Sequence, residues 1–177
     1  MNRLFVSGSL LGMIFTAAAA SSQHPAMPPG MSHEAHLAQL QKDAEMKKRG
    51  AAAMGFDQDA TTHHFGLTTT GAFIQVQAND PADTANRDAI RAHLEEIVDE
   101  FVRGDFSKPF MTHAENPPGV ESMRRLKAVI RFTFEQTEFG GRVRIATADA
   151  DALKVIHDFV RYQITEHRTG DPLTIQK

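Results

Sequence analysis

The chain of 177 residues carries a formal net charge of −3, with 41% hydrophobic and 23% charged residues. It contains no Cys, no Trp, one Tyr, 12 Phe and nine His. These values describe one ordinary soluble domain and exclude a disulfide scaffold, a Cys-ligated zinc module, a thiol enzyme and a strongly basic nucleic-acid binder.

Arg3 and the nearly uncharged run Leu4 to Ala20, closing on Ala18-Ala19-Ala20, read as a signal peptide over residues 1–20. The run includes Ser7, Gly8 and Ser9 and falls short of the roughly 20 apolar residues of a spanning helix. The expectation is a periplasmic or secreted protein with no stable membrane insertion after cleavage, and no Cys follows the run to carry a lipid. Residues 21–32 are Pro-rich and almost without branched apolar side chains, which predicts a disordered Met/His/Pro arm. An N-terminal helix over 33–50 follows, with Ser32 as N-cap, Leu37, Leu40 and Ala44 as a narrow apolar stripe, and Gly50 as its stop. The arm and helix start gather soft and borderline donors: His24, Met27, Met31, His33 and His36. Thioethers favour Cu(I) and imidazoles take either oxidation state. A polar linker that merely carries Met and His is the plainer account.

Residues 51–177 read as two strand-strand-helix units. Thr61 to Thr69 and Ala72 to Ala78 flank a Thr70-Gly71 turn, and Ile90, His93, Leu94, Ile97, Val98 and Phe101 recur at helical spacing after Asn79-Asp80-Pro81. The order repeats with Ala128 to Thr137 and Gly141 to Thr147 around Gly140-Gly141, the strongest turn signal in the chain. Asp149 then caps a helix whose inner stripe is Leu153, Ile156, His157, Val160 and Ile164. Alternation sets Ile130, Phe132, Phe134, Val143 and Ile145 on one face and Arg131, Thr133, Glu135, Arg142 and Arg144 on the other. The predicted fold is α+β: a four-stranded antiparallel sheet with helices over 84–103 and 149–168 on one face, preceded by the N-terminal helix. The charged face is expected to meet solvent or an acidic partner.

Six histidines fall in this domain. His63 shares the core face with Phe65 and Leu67, while His64 goes to the other face. His93 and His157 lie within the apolar stripes of their helices, so His63, His93 and His157 all point inward. A buried imidazole has two ring nitrogens to satisfy, by hydrogen bonds or by a metal such as Cu or Zn. His113, in the loop MTHAENPPGV, with Met111 or Met123, offers to close such a site, and His167 lies one turn past Ile164. Taken singly, an inward histidine is more often a core group bonded to a backbone carbonyl. No G-x-S-x-G elbow, Walker loop, H-E-x-x-H or glycine fingerprint is present, and Glu95, Glu96, Asp99 and Glu100 form a solvated acidic run.

The blocks GFDQ-x-x-TTHHF, GAFIQV, PPGV, GGRVRI and TGDP together resemble a family of small exported bacterial proteins, a resemblance that covers nearly all of residues 21–177 and implies no mechanism. Sequences of this appearance are sometimes labelled aspartate carbamoyltransferase. That activity needs two α/β domains of about 150 residues each and a Ser-Thr-Arg-Thr phosphate loop, and this chain has half the length and no such loop. The leading expectation is an exported domain that binds a transition metal, copper first, through His and Met for handling or sensing. The runner-up is a non-metal module that binds a protein or small ligand through its open sheet face or PPG loop. The third is a small enzyme using a bound metal as Lewis acid.

Overall fold

The computed structural model describes residues 27–176, so the expected signal peptide over residues 1–20 and His24 lie outside the described residues. The helix α1 (His33–Met54) is followed by strands β1 (Thr61–Thr68) and β2 (Gly71–Ala78) and helix α2 (Thr84–Arg103). Then come two short helices, α3 (Ser107–His113) and α4 (Val120–Arg125), a 3₁₀ turn at Lys127–Val129, strands β3 (Ile130–Thr137) and β4 (Gly140–Thr147), and helix α5 (Ala150–His167). The four strands make one antiparallel sheet in the order β1-β2-β4-β3, so the two hairpins meet through their second strands. The expected α+β class and its antiparallel sheet are present.

Helices α2 and α5 are capped by aspartates whose side chains accept from the first turn, Asp83 from the Asn86 N–H and Asp149 from the Ala152 N–H. Their apolar stripes, Ile90, Leu94, Ile97 and Phe101 on α2 and Ile156, Phe159, Val160 and Ile164 on α5, enter one core with Phe65, Leu67, Val76, Phe132, Val143 and Ile145 of the sheet. Each helix covers the other unit's hairpin: α2 lies chiefly over β4 and β3, and α5 chiefly over β1. Neither unit therefore closes a core alone. Phe101 is the hub, stacked on Phe106 at 4.4 Å between ring centres and edge-on to Phe132 and Phe159.

Three boundaries differ from expectation. First, α1 runs through Gly50 to Met54 and stops at Gly55 in the left-handed region (φ 74°). Gly50 is buried against the Met54 and Gln58 side chains, a close approach rather than a stop. Second, Gly140 and Gly141 are not the turn: they open β4, opposite Gln77 and Val76 of β2. A Cβ on Gly140 would fall on the Val76 carbonyl, and one on Gly141 on the Phe134 ring, so these glycines let backbone and ring approach a central strand. Third, the expected loop after Gly104 contains α3 and α4, whose seven and six residues are too few to show a helical period.

The sheet's outer face carries Arg131 and Arg144 in the open, with Arg144 facing Glu135 at 3.5 Å and Arg142 over the Phe73 ring at 4.9 Å. The tail shields the exposed edge of β1: Asp171 accepts from the Phe65 N–H at 2.8 Å, and the Gln176 N–H donates to the Leu67 carbonyl at 2.8 Å. No described helix is long and apolar enough to cross a membrane.

Candidate functional site

The sheet's core face is not filled near the start of β1. Between it and α1, α2, α3 and α5 lies a cavity of about 80 Å³, with apolar walls that include Ile74, Val76, Leu94 and Phe159. Four imidazoles line it: His63 of β1, His93 of α2, His113 of α3 and His167 at the end of α5. Outside lies a groove of about 400 Å³ between α1 and the end of α5, and His63, Thr112 and His167 border both spaces. The two histidines thus stand where the polar groove meets the apolar cavity.

Three of these rings form a chain through His167. The ring centres of His63 and His167 are 5.8 Å apart with planes at 10°, and those of His113 and His167 are 5.0 Å apart and nearly perpendicular. His93 stands across the Phe56 ring, which is 5.6 Å from His93 and 5.9 Å from His63. Burial, with the neighbouring imidazoles adding repulsion, pushes His63 down to about 4 and His167 to about 3. Burial and the Lys108 ammonium bring His93 to about 4, and burial lowers His113 despite its bond to Gln163. All four are therefore neutral at pH 7, with lone pairs available.

His113 shows where one lone pair is. Its Nε2 lies 3.0 Å from Gln163 Oε1, and an amide oxygen only accepts, so Nε2 carries the proton and donates. Nδ1 is left bare, buried and without a hydrogen-bond partner among the described residues, as is the Gln163 Nε2 amide. Both residues are more than nine-tenths buried, His113 at 7% and Gln163 at 5% exposure. Met54 adds a thioether to the wall. Lys108 is held by Glu100 at 2.7 Å and Glu96 at 2.8 Å, so the cluster at the cavity wall carries one net negative charge.

The expected trio of His63, His93 and His157 does not assemble. His157 Nε2 donates instead to the Thr68 and Gly71 carbonyls, each at 3.0 Å, and so ties α5 to the β1–β2 turn. That turn lies five strand residues from His63, about 17 Å at 3.4 Å per residue. The ten helical residues from His157 to His167 span about 15 Å, which brings His167 rather than His157 beside His63. His113 belongs to a helix, not a loop, and joins the cluster. His64 faces the other way and pairs with Asp171 at 3.2 Å; burial works to raise that carboxyl, but bonds from Thr169, the Phe65 N–H and His64 hold it below its ordinary value. Met111 is exposed and Met123 is sealed in the core, so neither closes the site.

The described donors of the arm and of the start of α1 do not reach it. Met27 and His33 are exposed, Met31 and His36 are half-buried, and His33 is twenty helical residues, about 30 Å, from the cavity wall at Ala53. Sequence reasoning missed Gln163, Lys108, Thr112 and Met54. Gln163 was legible in principle, since it stands three residues after Val160 and four before His167 on the inner face of α5. Among the described residues, no group of three or more His, Cys, Asp or Glu side chains is placed to hold a metal ion as it stands. No protein-family model, curated protein or solved structure matches the chain.

Proposed function

We propose that this is an exported domain that binds a transition metal, copper(I) first, through His167 with His63 and His113, in metal handling or sensing. The observation that carries the reading is the run of three imidazoles with lowered pKa values, His63 on His167 and His167 against His113. A ligand histidine characteristically donates its other N–H to a fixed acceptor, as His113 does to Gln163. Metal–nitrogen bonds of about 2.0–2.1 Å put the ring centres of two ligands roughly 5–6 Å apart, the spacing of both pairs here. His167 is common to the two pairs.

Charge favours copper(I) over zinc. Imidazole and thioether donors are uncharged, and the cost of burying an ion among apolar walls rises steeply with its charge. A monovalent ion matches the single net negative charge of the Lys108 cluster, and copper(I) accepts soft, low-coordinate donor sets. The test is competition with a copper(I) chelator, using protein purified without an affinity tag. His63→Ala, His113→Ala and His167→Ala should each weaken binding by tenfold or more, while His157→Ala keeps the affinity. Equal affinity in wild type and His167→Ala overturns the reading.

A further inference from the structure

The two edges of the sheet are finished differently. The chain's own tail shields β1, whereas β3 pairs only with β4 among the described residues. The direction of the backbone groups along β3 follows from its neighbour. The Thr147 N–H turns to the Thr70 carbonyl at 2.9 Å, away from β3. Alternation therefore points the N–H and C=O groups of Arg131, Thr133 and Glu135 at β4, and those of Phe132, Phe134 and Gln136 outward. An open row of this kind is a template for another strand. The flank on the core side of this edge is apolar. Arg91 reaches the Gly140 and Thr137 carbonyls at 3.0 and 2.7 Å, which identifies the side of α2 that hangs over β3. Val98 and Val102 continue that side at helical spacing; Val102 is 54% exposed, and so is 47% of Val129 just before β3.

We propose that β3 is a dimerisation edge: a second copy of this chain adds its own β3 antiparallel, with Thr133 on the two-fold axis, and joins two four-stranded sheets into one. The sequence of β3, IRFTFEQT, is complementary to itself in that register. With Thr133 opposite Thr133 of the second copy, Arg131 falls opposite Glu135 and Phe132 opposite Phe134, each twice about the axis. The axis then passes between residues whose backbone groups are turned to β4, and Phe132 and Phe134 exchange bonds on either side of it, as antiparallel alternation requires. Arg131 is exposed and has no charge partner among the described residues, and Glu135 has only Arg144 at 3.5 Å. The helices fit as well. Since α2 lies over β4 and β3, its two copies stand two strand spacings apart, about 10 Å, and helices pack at about 8–10 Å. The proposal is independent of the metal reading.

Sedimentation equilibrium of protein purified without an affinity tag should give twice the chain mass at micromolar concentration. Arg131→Glu sets Glu against Glu135 of the second copy, and Glu135→Arg sets Arg against Arg131, twice per dimer. Each should weaken association tenfold or more, and the double variant Arg131→Glu/Glu135→Arg, which restores opposite pairs, should recover most of it. All three should keep the wild-type circular dichroism spectrum, because both side chains leave the outer face of the sheet. Hydrogen exchange locates the contact: the Phe132 and Phe134 amides should be protected in the dimer and exposed on dilution, while the Arg131 and Thr133 amides stay protected throughout. A monomer overturns the proposal, as does a dimer indifferent to the charge reversals or a double variant no better than the single ones. Protection of Phe132 and Phe134 that ignores concentration and vanishes on deleting residues 21–31 makes the arm the occupant and overturns it too.

Discussion

His157 and His167 sit on one face of one helix and do different work because each meets a different neighbour. His157 donates to the Thr68 and Gly71 carbonyls, whereas His167 meets the rings of His63, Phe65 and His113. His157→Ala should therefore cost about 1–3 kcal/mol in urea denaturation, as carbonyls lose their buried donor, with copper(I) affinity unchanged. The site's own pH response follows from its low imidazole values, about 4 for His63 and about 3 for His167. Protons compete with a metal only near or below those values. Copper(I) affinity should stay nearly flat from pH 7.5 to 5.5, whereas exposed histidines with ordinary values lose about tenfold per ligand over that range. A steep loss in a competition titration across that window would falsify burial as the controlling factor.

The helix α1 is attached differently from α2 and α5. Besides Met54, which packs against the core at its C-terminal end, its ties are polar: Lys42 to Glu166 at 2.7 Å, Asp43 to Arg168 at 2.8 Å, the Arg49 guanidinium to the Thr112 carbonyl at 3.1 Å, and Lys47 to Asp59. Exposed ion pairs are worth roughly 0–1 kcal/mol each and are screened by salt. Hydrogen exchange should show α1 amides opening well below the free energy of β2 and β4, and faster still in 0.5 M salt for Glu166→Gln. Equal protection of α1 and the central strands would contradict this. The glycines of β4 act oppositely. Gly140→Ala sets a methyl against the Val76 carbonyl in the sheet centre, and should destabilise the protein by about 2 kcal/mol or more, read from the denaturation midpoint.

Stability of the fold should also depend on pH through the same cavity. His63, His93 and His167 titrate at about 4, 4 and 3 when folded, below the ordinary value of 6.5. Between those limits the unfolded chain binds more protons, so stability is full above about pH 6.5 and falls as pH drops towards the folded values. From pH 7 to pH 5 the loss is roughly 2 kcal/mol per histidine at most. His167→Gln should flatten the dependence, measured as the urea midpoint across that range. The arm is separable by contrast. Met27 to Gly30 are exposed, but the Ser32 hydroxyl accepts from the Ala35 N–H at 3.2 Å and caps α1. Deleting residues 21–31 should leave the melting temperature nearly unchanged, and extending the deletion through Ser32 should fray the first turn of α1 in hydrogen exchange.

Alternation along β1 to β4 and the 3.6-residue stripes of α2 and α5 were enough to read the antiparallel sheet, its wet face and the inward side of His63, His93 and His157, because both periods report the direction in which a side chain leaves the backbone. Neither period reports distance along an axis or which unit a helix covers. That α5 returns over β1, bringing His167 to His63 and His157 to the turn, depends on how the two hairpins join through β2 and β4. The short helices α3 and α4 escaped notice for lack of a full period, and with α3 came Thr112, Lys108 and the placement of His113, a loop residue by its sequence context. Gly140 and Gly141 looked like a turn because glycine marks both turns and close approaches, and only the packed Val76 carbonyl and Phe134 ring distinguish them. The local chemistry of strands and helices was written in the chain; the meeting of four imidazoles around one cavity came from packing between segments far apart in sequence.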